Sequence, residues 1–279
     1  MKNDRRYSGA GVAFYAALFA ASSPGAVGAK EAPAPNRIML FDGDTLNGWN
    51  LAIHGQGLVD VAEQDIVKVT QDGTLHVYAG KAHGSEQPMG LLFTRNDYSH
   101  YKVHVEYKWG AAKFPPRMDL VRDAGLLFHI AGPMTYDGRP EWVWPVAAEC
   151  QIQETDTGDL WLIGTRAATF LHTQDMVYSD EGAKRYRGYP GGSGYDSSKH
   201  AFENEVEGWN TIELIVNGDA AAFFVNGEKL NAISELQKWD DESGGWAGLD
   251  SGAIGLQAES AEVFYRNIWL EPLGDAHID

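Results

Sequence analysis

Nine residues from Tyr101 to Trp109, YKVHVEYKW, alternate without a break. Tyr101, Val103, Val105, Tyr107 and Trp109 share one face of an extended chain, while Lys102, His104, Glu106 and Lys108 share the other. A run of this kind buries a single aromatic, β-branched face, so it reads as a strand laid on a core. Thr74 to Ala79, Gly125 to Ala131, Ala147 to Gln153, Trp209 to Val216, Ala220 to Val225, Ala253 to Ala258 and Glu262 to Leu270 belong to the same class. Asn217-Gly218 and Asn226-Gly227 bracket one of these and predict a hairpin followed by a second tight turn. Ile233 to Trp239 alone reads as a helix, with Asn231 or Ser234 as its cap. Many short strands, 32 glycines, 11 prolines and no repeat predict an all-β chain. The expected architecture is one jelly-roll sandwich of two antiparallel sheets.

Lys2, Arg5 and Arg6 precede an apolar run from Gly9 to Ala21, and Val27-Gly28-Ala29 supplies small residues for cleavage. This is the pattern of a secretory signal over residues 1–29, with a run shorter than the roughly 20 apolar residues that a span needs. Export to the periplasm or the medium is expected, by a route that Arg5-Arg6 leaves open. Residues 30–36 read as a tether, 37–273 as the folded domain and 274–279 as a tail, and no membrane span is expected. Twenty-two basic against 39 acidic residues, a net charge of -17, argue against a phosphate-tracking surface and hence against nucleic acid. A single cysteine, Cys150, rules out a disulfide framework and a Cys-rich zinc site within the chain.

Two stretches are expected as long loops at the mouth of the sandwich. Gly132 to Pro145 carries Trp142 and Trp144; Tyr178 to Phe202 is glycine-rich and holds a basic island of Lys184, Arg185, Arg187 and Lys199. Between them lies Glu149-Cys150-Gln151-Ile152-Gln153-Glu154. On a strand, Glu149, Gln151 and Gln153 point one way while Cys150 and Ile152 point into the core. A row of one carboxylate and two amides is costly to bury without purpose. It suits a wet, concave face that grips the hydroxyls of a small carbohydrate, with Trp142, Trp144 and Trp161 offering rings to its C–H face. Glu149 and Glu154 around Gln151 resemble the carboxylate strand of laminarinase-type β-glucanases. Gln151 stands where those enzymes have an acid, however, and Glu154 joins the face only if the strand bulges, which weakens ordinary retaining hydrolysis.

A second resemblance covers nearly the whole mature chain. Ile38 to Trp49 (IMLFDGDTLNGW), Asp123-Ala-Gly125, Glu149-x-Gln151, Gly208-Trp209-Asn210 with Asn226-Gly227, Ile254-Gly-Leu-Gln257 and Phe264 to Ile268 occur in the order of the 3-keto-disaccharide hydrolase domain family. That resemblance implies a concanavalin-like jelly roll with long loops over a concave face. It also implies cleavage of glycosides already oxidised to a ketone at carbon 3, by a lyase or a net hydrolase. The ketone acidifies the carbon-2 proton, so that a base can remove it while the glycosidic oxygen leaves carbon 1 and water adds later. A non-catalytic, lectin-like binder of carbohydrate remains the alternative from a different class.

Glu149 matches the family motif and is expected in the reactive centre as base, acid or metal ligand. His129 is the competing proton carrier; the phase of its strand puts it on the face of Leu127, and its plain alternative is a structural histidine. Gln151, Gln153, Arg122, Asp123, Trp142, Trp144, His172 and Gln257 are expected to hold the sugar. No cofactor is assigned, although a divalent ion ligated from His129, Glu149, Glu154 and His172 could polarise the ketone. No metal signature supports that set, and the glycines at 188–194 do not form a nucleotide loop. The oxidised substrate would have to come from another enzyme, a sugar 3-dehydrogenase.

Overall fold

The computed structural model describes residues 36–132, 144–172, 176–189 and 195–274. The predicted leader, residues 30–35 of the tether, Trp142, the glycines between 190 and 194 and residues 275–279 lie outside the described residues. Every described strand joins one of two antiparallel sheets. In chain order the strands are β1 (Ile38–Met39), β2 (Trp49–Ile53), β3 (Gly57–Val59), β4 (Val67–Val69), β5 (Leu75–Val77), β6 (Gly90–Thr94), β7 (His100–Lys113), β8 (Asp123–Ala131), β9 (Val146–Gln153) and β10 (Leu160–Ile163). They continue as β11 (Thr165–Leu171), β12 (Ala183–Gly188), β13 (Tyr195–Ser198), β14 (Asn210–Asn217), β15 (Ala220–Val225), β16 (Glu228–Asp240), β17 (Gly245–Gly248), β18 (Ala253–Ala258) and β19 (Ala261–Pro272). One sheet has 11 strands along β12-β11-β16-β15-β14-β7-β19-β5-β4, with β1 beside β19 and β17 beside β16; the other has eight, in the order β13-β10-β9-β8-β18-β6-β2-β3. The chain is an all-β jelly-roll sandwich, and none of its described segments is a helix able to cross a membrane.

The alternation that opened the sequence reading is the spine of the larger sheet. Tyr101, Val103, Val105 and Tyr107 of β7 are buried and meet Leu126, Phe128, Cys150 and Ile152 from the other sheet in one apolar core. The Asn217–Ala220 and Val225–Glu228 pairs close the two expected two-residue turns; Asn226 and Gly227 take φ 50° and 86°, as a type I′ turn requires. The Leu-Phe-Asp-Gly segment proves to be a brace. Leu40 and Phe41 enter the core, Trp49 Nε1 donates to the Leu40 carbonyl at 2.6 Å, and the Asp42 carboxylate accepts from the Asp44 and Thr45 amides at 2.8 and 2.7 Å.

Two expectations are corrected. Ile233 to Trp239 is not a helix but the middle of β16, hydrogen-bonded to β15 and β11. Glu235 there has φ 56°, and β16 spends one residue more than β11 between Ser234 and Gln237. That bulge resets the phase, so Ile233 and Leu236 both face the core at a spacing that imitates a helix turn. The stretch from Tyr178 to Phe202 is not one loop, because it carries β12 and β13. Three of its four basic residues are taken by acidic neighbours: Lys184 by Glu235, Arg187 by Asp196, and Lys199 by Asp156 and Asp159.

Candidate active site

Three adjacent strands in the middle of the eight-stranded sheet, β9, β8 and β18, turn one polar face away from the core. Register pairs Glu149 with Leu127, Gln151 with Gly125 and Gln153 with Asp123. Gly255 lies beside Leu127 on the other side of β8, and continuing that register sets Gln257 beside Gly125 and Glu259 beside Asp123. Alternation alone therefore gathers two glutamates, an aspartate and three glutamines on one patch. Glu149, Gln151, Asp123 and Gln257 are buried, and all four were expected in the site from sequence. Gln153 joins them at the half-buried end of β9.

Asp123 is the hub. Its Oδ1 accepts from Gln151 Nε2 and its Oδ2 from Gln153 Nε2, each at 3.1 Å, and Arg117 Nη2 pairs with the same Oδ2. Arg117 also reaches Glu259 Oε1, at 3.4 Å from Nη1. The loop that carries Arg117 is tied down by Phe114 N donating to Ser260 O at 2.9 Å and by Ser260 Oγ donating to Pro115 O at 3.3 Å. Because Gln151 spends its amide N–H on Asp123, its carbonyl oxygen is left buried without a donor, as is that of Gln257; Arg117 Nε is a buried donor without an acceptor. Among the described residues Glu149 has no hydrogen-bond or ion-pair partner. Its carboxyl lies over Gly125, in the place where a Cβ would stand, and the Gln257 oxygen borders the same spot.

The electrostatics follow from this wiring. Burial, then the Glu259 and Asp123 carboxylates, push the Glu149 carboxyl well above the usual range. Burial, then Asp123, raises Glu259 to about 8 against the opposing pull of Arg117. Asp123 rises to about 6 through burial, opposed by Arg117 and by the Gln153 hydrogen bond. Among the described residues one guanidinium pairs with two of the three carboxyls and leaves Glu149 without a cation, so at neutral pH the patch retains protons.

Other expected residues are placed elsewhere. His129 does not share the face of Leu127. β8 has one residue more than both β9 and β18 between Leu127 and Ala131, and His129 takes φ 51° at that bulge. Phe128 and His129 therefore turn to the core in succession while Leu127 and Ile130 face outward. The buried imidazole bonds through Nε2 to Gly218 O at 2.8 Å and packs edge-on to Tyr101, and burial lowers its pKa. Arg122 alternates away from Asp123, and it holds Glu154 through Nη2 at 2.6 Å and Nε at 3.2 Å. That pair lines a cavity of about 600 Å³ with Trp109 and Glu205, apart from the Glu149 face. Trp144 is buried in an apolar cluster with Leu91, Leu127, Ala147 and Ile163, so it is no open platform for a sugar. Trp161, paired with Glu149 across β9 and β10, is the half-buried ring nearest that carboxyl in register. His172 follows β11 in the other sheet and is exposed.

The ligand set of His129, Glu149, Glu154 and His172 is thus not assembled. Among the described residues only Asp156, Asp159 and His200 bring three metal-type ligand atoms together, and the Lys199 ammonium already lies 2.8 Å from both aspartates. Sequence reading missed Arg117 and Glu259. Glu259 carried a signal, since it extends the phase of Gly255 and Gln257 by one step beyond the expected strand. Arg117 carried none, because a loop residue has no phase to read.

Residues 36–271 match the 3-keto-alpha-glucoside-1,2-lyase-like domain. No curated protein matches the chain in sequence. Among solved structures it is similar to a putative glycosyl hydrolase from Parabacteroides distasonis, with 18% identity and a TM-score of 0.49 over 86% of this chain and 94% of that one. A galectin-like protein of unknown function from Bacillus subtilis gives 14% identity and a TM-score of 0.45 over 87% and 97%. A β-glucanase from Bacillus licheniformis gives 10% and 0.39 over 87% and 100%.

Proposed function

The chain belongs to the 3-keto-alpha-glucoside-1,2-lyase-like domain family, and on that premise we propose that it cleaves the glycosidic bond of 3-keto-glucosides by β-elimination. One observation carries the reading: Asp123, Gly125, Glu149, Gln151 and Gln257, which belong to three separate motifs of the resemblance, share one buried patch with orphaned hydrogen-bonding groups. Buried carboxyls without full pairing are costly, and a protein that only bound sugar would have little use for them. The two carbonyl acceptors of Gln151 and Gln257 suit ring hydroxyls, and the unpaired Arg117 Nε–H suits an oxygen that gains negative charge as the enolate forms. A glucanase-like mechanism through Glu149 and Glu154 lacks support, because Glu154 is bound to Arg122 off the patch.

The expected result is release of the aglycone from a 3-keto-glucoside and little or none from the parent glucoside, since only the ketone makes the carbon-2 proton removable by a carboxylate. Incubating the purified protein with both sugars, followed by chromatography of the products, checks this. Comparable turnover of the unoxidised glucoside would restore an acid/base glycosidase, and retention of the keto-sugar without cleavage would make the protein a binder. The ketone would be supplied by a sugar 3-dehydrogenase. The leader pattern supports export, and N-terminal sequencing of the mature protein, expected near Lys30, tests it.

A further inference from the structure

Resting on the elimination reading, we propose that two carboxyls divide the reaction: Glu149, seated over Gly125 beside the Gln257 amide oxygen, gives a proton to the departing glycosidic oxygen, and Glu259, at the open edge of the Arg117 clasp, takes the proton from carbon 2. Arg117 and Asp123 are positioning residues for both.

The assignment comes from what each carboxyl touches. Gly125 brings Glu149 over the sheet toward Gln257 Oε1, an atom that can only accept a hydrogen bond. A carboxylate facing a carbonyl oxygen is repelled by it, while a carboxylic acid can donate to it. Among the described residues no cation pairs with Glu149, because the Arg117 guanidinium is divided between Asp123 and Glu259. Asp123 is saturated by Arg117, Gln151 and Gln153, and its side chain is 4% exposed. Glu259 has a single 3.4 Å contact and a side chain that is 16% exposed, so it is the carboxyl with room to receive a proton. The directions of titration agree. Glu149 is held up by burial and by Glu259 and Asp123; Glu259 is held near 8 by burial and Asp123 against Arg117. Tyr265 and Cys150, which feel Glu149 from the core side of the sheet, are held neutral because burial raises both well above their ordinary values.

The step balances without a co-reactant. The C2–H bond breaks, its proton goes to Glu259, and the electron pair passes into the enolate. The enolate then collapses to restore the C3 ketone and form the C1–C2 double bond, the C1–O bond breaks, and the leaving oxygen takes the proton of Glu149. Both carboxyls return to their starting states by exchange with water.

Leaving-group chemistry tests the division in the full-length protein. Glu149→Gln should lose ~100- to 10,000-fold in turnover of methyl 3-keto-glucoside, whose alkoxide cannot leave unprotonated. It should stay within ~10-fold of wild type on p-nitrophenyl 3-keto-glucoside, and it should still exchange the carbon-2 hydrogen in heavy water. Glu259→Gln should lose both substrates and the exchange. In the unmodified protein, turnover should rise through about pH 8 as Glu259 ionises. The alkaline fall, set by loss of the Glu149 proton, should appear with the methyl glycoside and not with the nitrophenyl one. These wild-type profiles need no variant to fold. Equal loss by Glu149→Gln on both glycosides, retained exchange in folded Glu259→Gln, or identical alkaline limbs overturns the division while leaving elimination intact. Failure of wild type on every 3-keto-glucoside overturns the elimination reading, and the division falls with it.

Discussion

Gly125 holds its place by what it lacks. A methyl group on its α-carbon would overlap the Glu149 carboxyl and crowd the Gln257 oxygen. Gly125→Ala should therefore push Glu149 off its seat, costing about 1–3 kcal/mol of stability through overpacking. A displacement of that size should lower turnover ~10- to 100-fold; melting curves and initial rates measure the two effects separately. Glu149 itself makes a second prediction. Its folded pKa is raised above the unfolded value, so its contribution to stability is full below roughly pH 4.3 and is lost as pH rises toward the folded pKa. Glu149→Gln removes that loss, and its melting temperature should exceed that of wild type by more at pH 8 than at pH 5. A gap that stayed constant across this range would show that the carboxyl is not held protonated. Most of the patch was legible because Asp123, Glu149, Gln151, Gln153 and Gln257 lie on strands, where a period of two converts sequence into direction. Arg117 was not, since only the docking of its loop on Ser260 brings it to the site.

Where the period of two breaks, sequence reading breaks with it. Three strands carry a non-glycine residue of positive φ at a register shift: His129 in β8, Glu235 in β16 and Asn267 in β19. Each inserts one residue and reverses the facing of everything beyond it. This is why His129 was placed with Leu127, and why two inward apolar residues three apart in β16 looked like a helix. The β8 bulge has a structural use: it carries the imidazole across the core to Gly218, in the turn between β14 and β15, and so couples the two sheets. His129→Asn keeps a residue that tolerates positive φ but removes that bond, and should destabilise the fold by about 1–3 kcal/mol. Turnover of a 3-keto-glucoside should stay within ~3-fold, well short of the loss expected for a proton carrier. Because burial lowers the pKa of His129, its contribution is present above about pH 6.5 and is lost as pH falls through the folded value. The acid limb of a wild-type melting profile should be steeper there than that of His129→Asn.

At the scale of the molecule, the net charge of -17 surrounds a site whose proposed substrate is neutral. Encounter should gain nothing from steering, so kcat/KM should change less than ~2-fold between low and high salt, whereas a charged sugar would show a clear slope. The sandwich was legible as a class, because alternation and turns report layers. Its strand order was not, because pairing partners such as β7 and β19 are far apart in sequence. That same distance governs when the site comes into being. Asp123 arrives with β8 and Glu149 with β9, but Gln257 and Glu259 arrive only with β18 and the residue after it, and β19 must then enter between β7 and β5. A chain emerging from the ribosome would therefore lack the proposed reactive centre until its last strands are made. On the proposed elimination, the chemistry would be switched on by the completion of folding, and any product truncated before Ala253 should be born inert.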